Sequence, residues 1–495
     1  MAQRYKGFFT IFEYTLDRMQ NKYHRKYFLK LAMLTPLCLL STPFDIFADD
    51  EKEERSKAVS NENVAYYKKG DAEYEKLRKG FNKRIEKSPL IIALCVNTEG
   101  VAEAMKYAIQ NNLPVAIKSG GHCMEGFSCN NGGMVINLSL LNKTEWLNEE
   151  NIKIGPGCTL SNIYDVLLPK GKILPGGSCA GVGIGGLVLG GGYGLLGRKY
   201  GLTCDSLQQV TMVDGTGKIR NSESDKELLW ACRGGGNGNF GVVTELRFKV
   251  HKAPATLQSF RFKSYKVNTV KAQTILQKWF ETTANLPPAC FSAYVLNGKT
   301  VYILLTNAGK HTPELQQVVN DLSALSDKTT KTKPQPIATA LKVFYGRKEP
   351  LYFKNASAGL YKNFSEIKDY IDKVIDIVTT TPGMIYQVNT LGGNIQNSEF
   401  ESGSAFPHRA FTYFSELQTY WDTEKQSERL LRRFQAVQDV FSANGIRTQY
   451  RNYPDINFKD WDVQYYGNNY ARLQKIKSTY DPHNVIRHEQ SIVNI

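Results

Sequence analysis

Two nucleophilic side chains of this 495-residue chain lie in stretches rich in glycine. His122 ends the run Ile117-Lys118-Ser119-Gly120-Gly121-His122, and Cys179 lies within Gly176-Gly177-Ser178-Cys179-Ala180-Gly181. Because glycine has no Cβ, such a main chain can approach a flat or charged ligand closely. A reactive histidine and a reactive cysteine in two such loops predict a large cofactor held by covalent bonds, and this chemistry points to a flavin.

The first glycine loop also predicts a phosphate cradle. The amides of Ser119, Gly120 and Gly121 are successive backbone donors of the kind that bind a pyrophosphate. The second loop, Gly181-Val182-Gly183-Ile184-Gly185-Gly186, is superficially similar to a dinucleotide-fold fingerprint. It lacks the preceding strand and the following acidic residue that this fingerprint requires, so we do not expect a Rossmann fold.

Strands and helices must position these loops. The apolar run Leu90–Cys95 predicts a buried strand, and a helix capped by Thr98 should follow it. A strand at 115–117 leads into the glycine–histidine loop, and another is expected at 134–138. This alternation of strands and helices predicts a domain of the α+β or α/β class.

The glycine content falls near residue 255, where a second domain begins. A strand at 300–305 and a helix from about 422 to 444 are its clearest predicted elements. The predicted segments are a signal peptide (1–48), a charged and exposed lead-in with a helix at 74–85 (49–85), a first domain (86–255), a second α+β domain (256–450) and a carboxy-terminal block (451–495).

The amino terminus has the layout of a secretory signal peptide. A basic region precedes the apolar stretch Leu31–Phe44, and Ala48 supplies the small residue before an acidic segment. The run Arg25-Lys26-Tyr27-Phe28-Leu29-Lys30 is similar to a twin-arginine signal with lysine in the second position, so that route and ordinary export both stay open. We expect a periplasmic or secreted protein with no stable membrane span in its mature chain.

The distribution of charge and the spacing of the cysteines limit the kinds of binding partner that we expect. The net charge is +15, but the basic residues are scattered and form no nucleic-acid motif, so no nucleic-acid partner is expected. None of the nine cysteines shows the short paired spacing of a zinc site, and no metal is predicted. Cys123 and Cys129 are near enough in sequence to pair in an exported protein, which the sequence alone leaves open.

The carboxy-terminal segment carries a dense motif. It contains Tyr450-Arg451-Asn452-Tyr453-Pro454-Asp455, then Tyr465–Leu473, then Asp481-Pro482-His483-Asn484-Val485, and ends in Gln490-Ser491-Ile492. With the two glycine loops, this block resembles the berberine bridge enzyme-like family of FAD-linked oxidases, which have the vanillyl-alcohol-oxidase-type flavoprotein fold. The resemblance runs from about Pro89 to Ile492 and is diffuse between residues 256 and 410. It implies a two-lobed α+β fold with a split FAD-binding domain, formed by residues 86–255 and 451–495, and a substrate domain at 256–450 between them.

The resemblance implies a bicovalent FAD. A histidine at the position of His122 binds the flavin 8α-methyl carbon in this family, and a cysteine at the position of Cys179 binds ring carbon 6. Val182 matches a position near flavin carbon 4a, where a small side chain is typical of members that react with oxygen. The full set of predicted cofactor contacts is His122, Cys179, Lys118, Ser119, Gly120, Gly121, Val182, Gly183, Gly186, Gly241, Val243 and Asn484.

Oxidation of an alcohol needs a base for the hydroxyl proton. Tyr453 matches the base of the family's carbohydrate oxidases, and Tyr450 and Tyr193 are predicted to contact the substrate or support that base. Because a tyrosine titrates near pH ~10, a cation or a hydrogen-bond network beside Tyr453 must favour its phenolate.

We therefore expect an FAD-dependent oxidase that transfers a hydride from a hydroxyl-bearing carbon, with O2 as acceptor and H2O2 as product. A sugar or oligosaccharide is the favoured substrate. Two alternatives stay open. One is an enzyme that acts on a small aromatic, amine or alkaloid-like compound or uses another acceptor, and the other is a non-catalytic exported binding protein on the same scaffold.

Overall fold

The computed structural model describes residues 60–495. The predicted signal peptide, including Cys38, and residues 49–59 lie outside the described residues. Within the described chain, two α+β domains are built on three main sheets, as the sequence predicts.

Four strands form the first sheet: β1 (Val64–Tyr67), β2 (Ile91–Cys95), β3 (Val115–Lys118) and β4 (Met134–Asn137). Their spatial order is β1-β2-β4-β3, in which β4 runs parallel to β2 and β3, and β1 runs antiparallel to β2. The strands predicted at 90–95, 115–117 and 134–138 are confirmed to within one residue. They are fully or nearly fully buried, as their continuous apolar character implies.

The lead-in is exposed at residues 68–73, as predicted, but it also contributes a strand and a buried ring to the fold. β1 extends the first sheet, and the short helix α1 (Tyr74–Arg78) places the ring of Tyr74 in the core. The Tyr74 hydroxyl donates a hydrogen bond to the Pro89 carbonyl at 2.6 Å. The helix predicted to reach Ile85 ends at Arg78 because Lys79 adopts an extended backbone conformation. Lysine and glutamate dominate this stretch, but its aromatic side chains are the ones that pack.

The second sheet is antiparallel and consists of β5 (Thr144–Trp146), β6 (Asn151–Ile154), β8 (Leu207–Asp214), β9 (Ile219–Asn221) and β10 (Gly241–Lys249), in the order β5-β6-β10-β8-β9. Two further short strands, β7 (Lys172–Ile173) and β11 (His251–Lys252), pair beside it. Helix α2 (Thr98–Gln110) packs between the first two sheets. Its cap is Asn97, not the predicted Thr98, since the Asn97 side chain accepts from the Gly100 amide at 2.8 Å.

The third sheet belongs to the substrate domain. Its strands are β12 (Thr256–Tyr265), β13 (Cys290–Asn297), β14 (Thr300–Asn307), β15 (Lys328–Lys331), β16 (Gln335–Pro336), β17 (Tyr352–Tyr361), β18 (Met384–Thr390) and β19 (Tyr413–Trp421). The main path is β15-β12-β14-β13-β18-β19-β17, and β16 pairs with β12. The strand predicted at 300–305 is thus confirmed as β14.

Helices cover one face of the third sheet: α7 (Thr269–Thr283), α10 (Ile371–Thr379) and α12 (Ser427–Ala443). The helix predicted at 422–444 is confirmed as α12, with Leu430, Phe434, Val437 and Phe441 buried. Alternate residues of the same strands face the FAD-binding domain instead, because side chains alternate across a strand. On β13, for example, Tyr294 packs under the helices, whereas Ala293 packs toward the FAD-binding domain.

The remaining α-helices are α3 (Leu160–Leu167), α4 (Ile184–Leu189), α5 (Gly197–Tyr200), α6 (Lys226–Cys232), α8 (Pro313–Ala324), α9 (Ile337–Lys342), α11 (Ser398–Ser402), α13 (Trp461–Tyr466) and α14 (Tyr470–Tyr480). Across residues 60–495, every helix is too short or too polar to cross a lipid bilayer.

The end of the chain returns to the first sheet. The Val115 amide donates to the Val485 carbonyl at 2.8 Å, and the Arg487 amide donates to the Val115 carbonyl at 3.2 Å. A buried ion pair between Lys477 and Asp481, at 2.6 Å, stabilises the turn that precedes this contact. The carboxy-terminal block therefore lies beside β3, the strand that leads into the glycine–histidine loop.

Candidate active site

A cavity of about 360 Å³ lies between the FAD-binding domain and the uncovered face of the third sheet. Most of the residues predicted from sequence meet in its wall. These are Ser119, Gly120, Gly121, His122, Cys179, Val182, Gly183, Gly186, Tyr193, Gly241, Val243, Tyr450 and Tyr453. The two glycine loops, far apart in sequence, therefore border the same cavity.

The two glycine loops contact each other through their backbones. A Cβ on Gly120 would lie 2.4 Å from the Gly183 amide nitrogen, and a Cβ on Gly183 would lie 2.3 Å from the Ser119 hydroxyl. Neither position therefore accommodates a side chain without movement of the opposite loop. Ser119 also fixes its loop by donating to the Pro156 carbonyl at 2.6 Å.

Gly186 has a different environment. It lines the cavity within helix α4, yet a Cβ at this position would meet nothing within 4 Å among the described residues. Bare backbone facing open space lets a flat ring system approach closely. The site therefore has the cradle that an isoalloxazine requires, and its residues fit FAD.

His122 lies at the cavity wall with its ring stacked on Phe81, at a centroid distance of 4.5 Å and an interplanar angle of 16°. Burial lowers the pKa of His122 to about 4, since the charged imidazolium is disfavoured away from water. The imidazole is therefore neutral at ordinary pH. A neutral ring nitrogen has the free electron pair that bond formation to a flavin carbon requires.

Cys179 borders the same cavity. Burial, together with the nearby Glu416 carboxylate, raises the pKa of the Cys179 thiol to about 11. Its sulfur lies 3.6 Å from the position of a Cβ on Gly346, in the segment before β17. All eight described cysteines have free thiols, so the pairing of Cys123 with Cys129 that the sequence left open does not occur in this structure.

Two residues predicted to contact the cofactor lie outside the cavity wall. The Lys118 ammonium points to the opposite side of its strand and donates to the carbonyls of Leu77, at 2.6 Å, and Lys79. Asn484 adopts a left-handed backbone conformation, with φ of +49°, in the turn that follows Asp481. Contact of either residue with the cofactor therefore stays a prediction. Strand alternation turns the Lys118 side chain away from the cavity, whereas the Asn484 Oδ1 atom is buried and has no hydrogen-bond partner among the described residues.

The sheet side of the cavity is lined by polar side chains that sequence reasoning missed. Asn355 on β17, Gln387 and Asn389 on β18, and Glu416 and Gln418 on β19 all project into it. We call these five residues the polar strip. Within each strand they alternate with residues that pack under the helices, so the available signal was an i, i+2 pattern of amide and acid side chains in apolar strands.

The hydrogen bonds of the polar strip run in one direction. The Tyr420 hydroxyl donates to Gln418 at 2.8 Å, Gln418 donates to Gln387 at 3.4 Å, and Gln387 donates to Asn389 at 2.8 Å. The chain ends at Glu416, which accepts from Asn389 at 3.3 Å. Asn355 donates to the other carboxylate oxygen at 3.0 Å.

Glu416 is the single carboxylate in the wall of this cavity among the described residues. Burial raises the pKa of its carboxyl group above the usual value, and the amide donors act in the opposite direction without reversing the shift. A carboxyl group poised in this way is a candidate general base.

The three predicted tyrosines meet at one end of the cavity. The Tyr450 hydroxyl accepts from the Gly192 amide at 3.0 Å, and the Tyr193 hydroxyl donates to the Thr390 carbonyl at 2.9 Å. The rings of Tyr450 and Tyr453 lie 5.3 Å apart. Burial and the charge of Glu416 raise the pKa of Tyr453 well above its usual value. The cation or hydrogen-bond network expected to favour a Tyr453 phenolate is therefore absent from the described environment of this side chain.

A buried ion network connects the walls of the cavity. The Lys354 ammonium lies 2.7 Å from Glu125 and 2.6 Å from Asp455, and Arg84 lies 2.7 Å from Glu125. Glu125 follows His122 by three positions, Asp455 follows Tyr453 by two, and Lys354 precedes Asn355. The network therefore joins three segments, each of which places a residue in the cavity wall.

Comparisons with known proteins agree with this arrangement. Residues 89–223 match a family model described as an FAD binding domain, and residues 449–493 match one described as berberine and berberine like. The FAD-linked oxidoreductase YgaK of Bacillus subtilis is 31% identical over 434 residues, which cover 85% of this chain and 95% of that protein. Berberine bridge enzyme-like 12 of Arabidopsis thaliana is 29% identical over 461 residues, which cover 83% and 86%.

Solved structures show the same fold. A chitooligosaccharide oxidase superposes with a TM-score of 0.80 at 23% identity, covering 87% of this chain and 97% of that one. BBE-like 1 of Physcomitrella patens superposes with a TM-score of 0.78 at 22% identity, covering 87% and 96%.

Proposed function

Because this chain belongs to the berberine bridge enzyme-like family of FAD-linked oxidoreductases, we propose that it oxidises a hydroxyl-bearing carbon of a sugar or oligosaccharide. The observation that carries this proposal is the polar strip, which faces the glycine loops across a single cavity. An FAD held on the glycine loops and a substrate held on the strip would then lie next to each other.

The chemistry of the polar strip suits a polyhydroxyl compound. Amide side chains both donate and accept hydrogen bonds, as sugar hydroxyls do, and four of the five strip residues are amides. Asn355 retains a buried carbonyl oxygen that has no hydrogen-bond partner among the described residues, which leaves an acceptor for a substrate hydroxyl. Phe353 and Tyr420 add stacked aromatic rings to the wall, 5.8 Å apart, and such rings pack against apolar sugar faces. The similarity of the fold to a chitooligosaccharide oxidase is consistent with this substrate class.

We propose that the FAD is bicovalent, through His122 and Cys179. The amides of Ser119, Gly120 and Gly121 would hold its pyrophosphate, and the bare backbone at Gly186 would lie against its ring. When bound, FAD would supply a hydride acceptor and a route for electrons to O2, with H2O2 as the product. The half-buried side chain of Val182 is small and apolar, and this supports access of O2 to that side of the cavity.

The family resemblance of the sequence assigns the role of the base to Tyr453, and the position of Glu416 changes that assignment. A negative charge near Tyr453 disfavours its phenolate, so Tyr453 alone is poorly placed to remove a proton near neutral pH. Glu416 becomes a carboxylate well below the pH at which a buried tyrosine ionises. We infer that Glu416 receives the substrate hydroxyl proton, either directly or through Tyr453, and that Tyr450 and Tyr193 orient the substrate and Tyr453. We also propose export, on the basis of the signal-like residues 1–48.

Intact-mass measurement and flavin-peptide mapping test the cofactor assignment. The denatured protein should retain FAD, and His122→Ala and Cys179→Ala should each retain it through the remaining bond. Only the double variant should release FAD on denaturation. Release of all FAD from the denatured wild-type protein would refute the covalent model, and release from either single variant would refute two attachments.

Oxygen consumption with sugars, aromatic alcohols and amines tests the substrate class. We expect turnover with neutral sugars or oligosaccharides and stoichiometric H2O2. Turnover confined to aromatic alcohols or amines would support the first alternative. A protein that loads FAD but reduces it with none of these donors, also under anaerobic conditions, would support a binding protein.

A further inference from the structure

Arg451 is the single lysine or arginine in the cavity wall among residues 60–495. Arg451 is 3% exposed, so the guanidinium charge is removed from bulk water. Within the described chain, no aspartate or glutamate oxygen lies within ion-pair distance of it. An uncompensated buried charge is costly, which makes its missing partner informative.

The contacts of Arg451 orient it without neutralising it. Its Nε donates to the Tyr466 hydroxyl at 3.0 Å, and one terminal nitrogen lies 3.3 Å from His488 Nε2. The guanidinium also lies 5.6 Å from the centre of the Phe127 ring, which stacks on His488 at 4.5 Å, and 5.5 Å from the centre of the Tyr465 ring. These neutral rings attract the cation but carry no opposite charge. Burial and the charge of Arg451 lower the pKa of His488 well below its usual value, so His488 stays neutral and adds no charge.

Other buried cations show how unusual this environment is. Lys354 contacts Asp455 at 2.6 Å, Arg409 contacts Asp205 at 2.5 Å, and Lys477 contacts Asp481 at 2.6 Å. Arg198 and Lys118 resemble Arg451 in having no carboxylate partner among the described residues. However, both donate only to main-chain carbonyls, three for Arg198 and two for Lys118, and both lie outside the cavity wall.

Arg451 and Glu416, the cation and the carboxylate of the cavity wall, are held by different parts of the chain. Glu416 is held by the substrate-domain sheet, whereas Arg451 contacts the carboxy-terminal block and the segment after His122. The positive and negative charges of the cavity are therefore anchored in different domains. The cation is on the side that the glycine loops form.

We propose that Arg451 is a cofactor-binding residue whose guanidinium pairs with an anionic group of FAD. Two parts of the cofactor carry such a group: the pyrophosphate, which is always anionic, and the N1–C2 carbonyl edge of the isoalloxazine, which gains negative charge on reduction. In both cases Arg451 supplies the charge that the neutral glycine loops lack. If Arg451 faces the N1–C2 edge, its charge would affect the redox potential of the flavin. If it faces the pyrophosphate, its charge would affect how much FAD the protein retains.

Arg451→Met separates these sources through two measurements that do not depend on turnover. If the guanidinium faces the N1–C2 edge, FAD content stays at the wild-type level. The ratio of reduced to oxidised flavin, at a fixed potential set by a reference dye, then falls by about tenfold or more. If it faces the pyrophosphate, the variant is purified with less FAD per chain, and the ratio for its bound FAD is unchanged.

Arg198→Met is the matched control, because it also removes a buried arginine without a carboxylate partner but does not alter the cavity wall. It should leave the flavin ratio unchanged. Arg451→Lys keeps the charge and should retain both wild-type properties in large part. Arg451→Gln replaces the methionine variant if that protein does not fold, with the same two readouts. Wild-type FAD content together with a wild-type flavin ratio in the folded neutral variant would overturn the proposal.

Discussion

The two walls of the cavity are built from different parts of the polypeptide. The FAD-domain wall presents glycine backbone, with Gly120 and Gly183 in contact and Gly186 bare. The sheet wall presents the amide and acid side chains of the polar strip. Backbone donors do not depend on side-chain identity, whereas each side chain on a strand can be exchanged separately. The first wall therefore suits a cofactor that stays the same, and the second wall suits a substrate whose identity can change with the side chains.

The largest expected effect is on the sheet wall, at Glu416. We expect Glu416→Gln to lower kcat/KM by about 10²–10⁴-fold, because it keeps the shape and removes the proton acceptor. FAD content should stay at the wild-type level, as the other wall is the one that we propose holds the cofactor. Steady-state kinetics with flavin absorbance per chain checks both statements.

The pH profile strengthens this test. The folded-state pKa of Glu416 is raised, so its contribution to stability is present below the ordinary carboxyl pKa and is lost as the pH rises through the raised value. Activity should rise over the same interval as the base ionises, and Glu416→Gln should remove that rise. If Tyr453→Phe abolished activity and Glu416→Gln kept the wild-type rate, Tyr453 would be the base and the assignment of Glu416 would be wrong.

The second prediction concerns the buried ion network that connects the two walls. Lys354→Met leaves Glu125 and Asp455 without their shared cation, and we expect a loss of about 3–5 kcal/mol in the free energy of unfolding. Chemical denaturation measures this loss. Lys278→Met is the control, since Lys278 pairs with Glu281 at 2.7 Å on the exposed surface and should matter by about 0.5 kcal/mol or less. Equal effects of the two substitutions would show that the buried network does not hold the walls together.

The third prediction separates the two kinds of glycine in the backbone wall. Gly186→Ala should leave thermal unfolding of the FAD-free protein unchanged or slightly raised, because the new methyl meets open space and alanine favours a helix by about 0.5–1 kcal/mol. FAD loading should fall, since we propose that this space receives the ring. Gly183→Ala should lower stability even without FAD, because its methyl would contact the opposite loop. Normal FAD loading of Gly186→Ala would place the ring elsewhere.

The smallest expected effect is at the start of the directed hydrogen-bond chain. Tyr420→Phe removes the donor to Gln418, which is worth about 1 kcal/mol. We expect KM for the sugar to rise by roughly fivefold with little change in kcat, since the substitution disturbs binding and leaves Glu416 in place. Substrate-saturation curves distinguish the two parameters. A change in kcat with an unchanged KM would show that this chain supports the base.

Much of the glycine wall could be predicted from sequence because its chemistry is local. A run such as Ser119-Gly120-Gly121-His122 carries both its backbone freedom and its nucleophile in consecutive residues. Lys118 shows the limit of that reasoning, since neighbouring residues of a strand point to opposite sides and its ammonium is used by the carbonyls of residues 77 and 79. The left-handed backbone conformation of Asn484 was likewise not visible in the sequence, because it arises from the turn after Asp481.

The polar strip was beyond local reasoning. Asn355, Gln387 and Glu416 come from three strands that are neighbours only in the sheet, and each is embedded in an apolar sequence. The charge of Arg451 was likewise visible in the terminal motif, but its lack of a carboxylate partner depends on the packing of residues 127, 466 and 488.

The sequence by itself determined the family, the two-domain α+β fold and FAD as the cofactor, because these follow from glycine runs and motifs that are continuous in the chain. Tertiary structure alone decided which carboxyl group faces Tyr453 and which cation lacks a partner. Burial and the approach of distant segments set those electrostatic properties, and neither is encoded within a single stretch of residues.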